Sequence, residues 1–173
     1  MEENMVFPLP SAEAVRNMVF TIYAKGQLLS KATGSNFYAS DGLIEDIKQS
    51  ESAPELFSLI ESAGEEGLRG LTFTDETVIF SGFPEASDVN VVLATAIYNY
   101  CVGNHRVQPK RADTSNEKFS FRVWLVQLGL NGPEFKAGRT ALYSHLTGHT
   151  AFRTKQDEER WKARRQARKA ALA

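Results

Sequence analysis

Cysteine is almost missing: Cys101 is the single one in 173 residues. That excludes an internal disulfide framework and a cysteine-based zinc site. No apolar run approaches the roughly 20 residues that a membrane span needs. The start of the chain (Glu2, Glu3, Pro8, Pro10) lacks the basic and apolar regions of a secretory signal. A cytoplasmic protein with no membrane partner is the expectation. G-x-S-x-G, H-E-x-x-H and G-x-G-x-x-G are all absent, so no catalytic signature points to an enzyme and no cofactor is expected. What is present is ordinary core material. Hydrophobic residues make up 42% and aromatics 10%, too much for wholesale disorder. The length suits one ordinary domain or two small ones.

A net charge of −1 conceals an asymmetry. Residues 1–104 hold 15 Asp/Glu and 5 Lys/Arg, a balance of −10; residues 105–173 hold 6 and 15, a balance of +9. Such a division suggests an acidic module joined to a basic one that meets nucleic acid or another polyanion. The alternative is that the halves neutralise each other, within one chain or across a homodimer.

The pattern along the chain predicts an α+β fold. Residues 1–17 read as a leader with a short helical turn at Ala12–Arg16 opened by Ser11. Val19–Ala24 and Gln27–Ala32 read as strands around a Lys25-Gly26 turn. Helices follow with Leu43, Ile44 and Ile47 on one face, and with Leu56, Phe57, Leu59 and Ile60 behind Pro54. Leu68–Thr74 and Thr77–Phe83 read as a second hairpin. Ser87 or Asp88 caps a helix with a stripe of Val89, Val92, Leu93, Ala96, Ile97 and Tyr100. The acidic module is thus residues 18–102, an antiparallel sheet of two hairpins with helices on one face (ββααββα). A linker spans 103–117, and 118–173 form a basic three-helix module: Phe119–Leu128, Glu134–Leu146 and Asp157–Ala171.

Few residues combine into chemistry. His145 and His149 are four apart, but Gly148 intervenes, so capping or surface roles suit them better than metal ligation. Cys101 falls near a helix C-terminus, where the dipole disfavours a thiolate, and only His105 offers a neighbouring imidazole. Lys31-Ala32-Thr33-Gly34-Ser35 does not follow the phosphate-loop order. The aromatic run Phe119–Leu125 supplies core, and Arg122 within it must pair or reach solvent. The helix-turn-helix outline of residues 119–146 lacks a polar recognition face. The tail carries the stronger signal. Arg153, Lys155, Arg160, Lys162, Arg164, Arg165, Arg168 and Lys169 crowd around Trp161, with Asp157, Glu158 and Glu159 in the first helical turn. These cations exceed what capping requires and suit phosphate contacts. Lys110, Arg111, Lys136 and Arg139 are weaker candidates in the same half.

Several segments also carry a family likeness: Phe20–Tyr23, Ser30–Gly34, Phe80–Pro84, Phe121–Leu125 with Leu128–Gly132, Glu134–Lys136, Gly148–Lys155 and Trp161–Arg164. Together they resemble small proteins labelled "virulence-related" that are encoded on conjugative elements and phages of gut bacteria. The likeness spans residues 18–168 and is most specific from Phe121 to Lys155. It brings no catalytic residues with it. Some small proteins of such elements are anti-CRISPR inhibitors, so the resemblance implies a non-enzymatic binder of nucleic acid, or of a nucleoprotein such as guide-loaded Cas9. An acidic module would face the nuclease's basic channel and a basic one its exposed nucleic acid.

Overall fold

The structure is a computed structural model and describes residues 5–103 and 106–172; His105, the imidazole that the sequence offers near Cys101, lies outside them. The fold is mixed α+β. β1 (Val6–Pro8) leads into α1 (Ala12–Thr33), then β2 (Tyr38–Ala39), α2 (Asp41–Lys48), α3 (Ala53–Gly67), β3 (Leu68–Arg69), β4 (Thr72–Phe73), β5 (Thr77–Ile79) and α4 (Asp88–Val102). Beyond the connecting segment lie α5 (Glu117–Gln127), a 3-10 turn at Pro133–Phe135, α6 (Lys136–Tyr143) and α7 (Lys155–Leu172). Two small antiparallel sheets form, one ordered β1-β5-β4 and one pairing β2 with β3.

The first expected hairpin is a helix. Val19–Ala24 and Gln27–Ala32 both lie in α1, 22 residues long and capped by the Ser11 hydroxyl, which accepts from Ala14 N. Residues 17–22 are buried without interruption. Its exposed residues, Glu13, Gln27 and Lys31, are few and far apart along the chain, so the β-branched and aromatic run Val19–Tyr23 dominates the local pattern, and burial overrides propensity. Gly26 is no turn: a Cβ there would stand 2.9 Å from the Phe37 carbonyl oxygen. The glycine lets β2's approach lie against the helix, where the Ser30 hydroxyl accepts from Phe37 N (2.9 Å).

Other expectations are displaced. The segment read as a leader supplies β1, paired with β5 in the register Phe7 opposite Val78. Leu68–Thr74 is divided at Gly70 (φ 100°) between the two sheets. In α4 the inward face is Asn90, Leu93, Ala94, Ile97 and Cys101, while Val92 is exposed. Asn90 can turn inward because its side-chain amide donates to the Glu85 carbonyl at 3.0 Å. Phe121, Trp124, Leu125, Phe135, Leu142 and Leu146 share one core with α1, α2 and α4. The core is therefore continuous across the connecting segment.

Candidate nucleic-acid interface

The candidate surface is that of α7, which is rooted by two consecutive residues at the start of α5. Asn116 caps α5 by accepting from Phe119 N at 3.2 Å. The same oxygen accepts from His149 N at 3.0 Å, and the amide nitrogen donates to the Phe152 and Arg153 carbonyls at 2.5 and 2.9 Å. One buried side chain thus fixes the loop that launches α7. Beside it, the Glu117 carboxylate accepts from Lys31 Nζ at 2.8 and 2.9 Å, from Thr147 N at 2.9 Å and from Thr147 Oγ1 at 2.8 Å. Burial pushes its pKa upward, but the Lys31 and Thr147 contacts prevail and hold it below the ordinary carboxylate value.

α7 begins where the Thr154 hydroxyl accepts from Asp157 N at 3.1 Å. Its first turns touch the body through two contacts. Phe152 and Trp161 lie ring to ring at 5.6 Å, and His149 Nε2 is 3.1 Å from Glu158 Oε2. Lys162 pairs with the same carboxylate, four residues earlier, at 2.9 Å. Past Glu158 every described residue of the helix is exposed. Arg160, Lys162, Arg164, Arg165, Arg168 and Lys169 carry six positive charges there with no acid among them after Glu159. Among the described residues, Lys162 is the one of these six in an ion pair. Arg165 additionally lies over the Trp161 ring, 5.3 Å from its centre.

At about 100° per residue, the six cations occupy roughly 200° of the helix circumference. Arg160, Arg164 and Arg168 form one row at four-residue spacing, and Arg165 and Lys169 another. Like charges at that spacing destabilise a helix by a few tenths of a kcal/mol per pair, and an external anion relieves this. Five of the six cations stand without an acidic partner among the described residues.

The remaining candidates scatter. Arg153 is exposed at the root, where its charge helps hold the Asp113 carboxyl below its ordinary range behind the Ser115 hydrogen bonds. Lys155 opens α7. Lys110 and Lys136 are exposed elsewhere. Arg111 is engaged: it stacks 4.2 Å over the Tyr23 ring and lies 3.4 Å from Asp41 Oδ1. Arg139 spans a turn, donating to the Leu130 and Gly132 carbonyls at 2.8 and 2.7 Å. These two guanidiniums serve the fold. Arg122 reaches solvent.

Catalytic alternatives find separate positions. Cys101 is 1% exposed, and burial pushes its thiol up to about 11, against a small opposing effect of the Thr21 hydroxyl. His145 lies beyond the end of α6, so the two histidines do not share a helix face. Among the described residues no three His, Cys, Asp or Glu side chains cluster to hold a metal ion. No helix among them is long and apolar enough to cross a membrane. Sequence reasoning missed Asn116 and Glu117, although Asn immediately before an apolar helical run is an N-cap signature. No family model, curated protein or solved structure matches the chain.

Proposed function

We propose that this chain is a non-enzymatic binding protein whose helix α7 grips the phosphates of a nucleic acid, free or within a nucleoprotein. The carrying observation is the exposure of α7 with six cations of which one is paired within the described residues. The segment most specific to the family likeness supports it from another side. Phe121–Leu125 supplies the core of α5, and Gly148–Lys155 is the loop that sets α7 in place. That likeness extends the proposal to a mobile-element protein that blocks a host defence nuclease of the guide-loaded Cas9 kind.

Titrating labelled duplex DNA and RNA by fluorescence anisotropy tests the first part. With about five phosphates neutralised, affinity falls several-hundred-fold between about 50 and 200 mM salt, from a slope near −0.9 per phosphate. Arg164→Gln with Arg168→Gln lowers that slope by about 1.8. A flat salt response overturns the proposal. Suppression of target cleavage by guide-loaded Cas9 supports the nuclease version, and undiminished cleavage at large molar excess rejects it.

The self-neutralising reading draws on Arg111–Asp41, which joins the basic half to the acidic one. Lys31–Glu117 also crosses the division, but with the signs reversed. Neither involves α7.

A further inference from the structure

A groove of about 730 Å³ opens between α3 and β4. Its floor is apolar: Phe57 and Phe73 face each other edge to face at 6.3 Å, with Ile60 beside them. Its rim is acidic, carrying Glu61, Glu65 and Asp75, all exposed and none in an ion pair with a described residue. No Lys or Arg lines it. Half-buried aromatic floor and unanswered acidic rim together call for a cationic occupant with a lean contact face.

The same chain carries one. Opposite its basic face, α7 presents Ala163, Ala167 and Ala170, spaced four and three apart and all exposed. Small side chains let a helix backbone settle close to an apolar floor. Arg160 and Arg164 flank this stripe on one shoulder, with Gln166 and Lys162 on the other and the exposed Glu159 at its N-terminal end. Seated on its alanines, the helix would bring shoulder cations to the acidic rim and keep Arg168 facing outward.

We infer that the α3–β4 groove docks helix α7 of a second copy, so that the chain self-associates through its oppositely charged ends. The contact is heterologous: it closes when two copies exchange helices and is otherwise open-ended. It draws on the same helix as the phosphate-binding proposal, Arg160 and Arg164 included, but the groove residues take no part in gripping nucleic acid.

Sedimentation velocity of the full chain from about 1 to 200 µM, at roughly 50 and 300 mM salt, tests it, since the screening length falls from about 14 to about 6 Å over this range. Mass should rise with concentration at low salt and return to monomer at high salt. A groove variant (Glu61→Lys with Glu65→Lys) and a helix variant (Arg160→Glu with Arg164→Glu) each weaken association at least about tenfold. Mixed together they associate again, because the native helix of the groove variant meets the native groove of the helix variant and the two reversed surfaces fit each other. All four positions are exposed, and circular dichroism checks that the fold persists. A monomeric wild type at the highest concentration, association indifferent to the groove variant, or failure of the mixture overturns the inference. The two proposals fail separately. The groove variant keeps nucleic-acid affinity, and a self-associating chain that ignores DNA and RNA rejects phosphate binding alone.

Discussion

The two longest helices of this protein are opposites. α1, 22 residues, buries thirteen of them, while α7, 18 residues, buries none. Both are helices, for different reasons. α1 is held by what surrounds it: Met18, Ile22 and Leu29 pack into the core, and the run Val19–Tyr23 within it favours strands. α7 is held by what it contains, strong helix formers with acids in the first turn and cations later. The comparison teaches that core packing and exposed positive charge are assigned to separate elements, joined by the Asn116–Glu117 root.

Substitutions should break that contrast unequally. Leu29→Ala, at a fully buried position of α1, should cost about 2–5 kcal/mol by chemical denaturation. Glu117→Gln, at the root, should cost about 1–2 kcal/mol, since Lys31 is half exposed and rehydrates once its partner is neutral. Because Glu117's pKa is depressed in the folded state, its contribution is present above the unfolded carboxylate value. It is lost as pH falls through the lower folded value. The wild type should therefore lose stability across that acidic window more steeply than the Gln variant, as denaturation at a series of pH values would show. Replacing Arg164, Arg165, Arg168 and Lys169 together by Gln should move unfolding by no more than about 0.5 kcal/mol. A large loss there would show that α7 packs on the body.

Legibility followed the same division. α7 was readable because its composition alone determines it, and its exposed cations follow from having no apolar face to bury. α2 was readable because Leu43, Ile44 and Ile47 face the core on one side only, as the helical period requires. α1 was not, because its exposed residues Glu13, Gln27 and Lys31 lie far apart along the chain and leave Val19–Tyr23 reading as a strand, and Gly26 signals a close backbone approach as well as it signals a turn. The long strand Leu68–Thr74 misled for a related reason. Its two halves pair with different partners, Tyr38–Ala39 and β5, and such a choice is non-local. In the candidate interface the cations of α7 were legible one by one. The engagement of Arg111 with Tyr23, and of Arg139 with two carbonyls, depended on neighbours remote or folded back in space.

The sealed sulfur of Cys101 has a practical side. With its thiol pushed up to about 11 by burial, the thiolate is scarce at neutral pH, and that atom sits inside the core. A maleimide should therefore be consumed only when the interior opens, which turns the native chain into a clock for its own breathing. A second sulfur placed at the far end of α7, as in Ala171→Cys, would be the lone fast-reacting handle. A dye or crosslinker could then be hung on the projecting helix while the native residue stays in place.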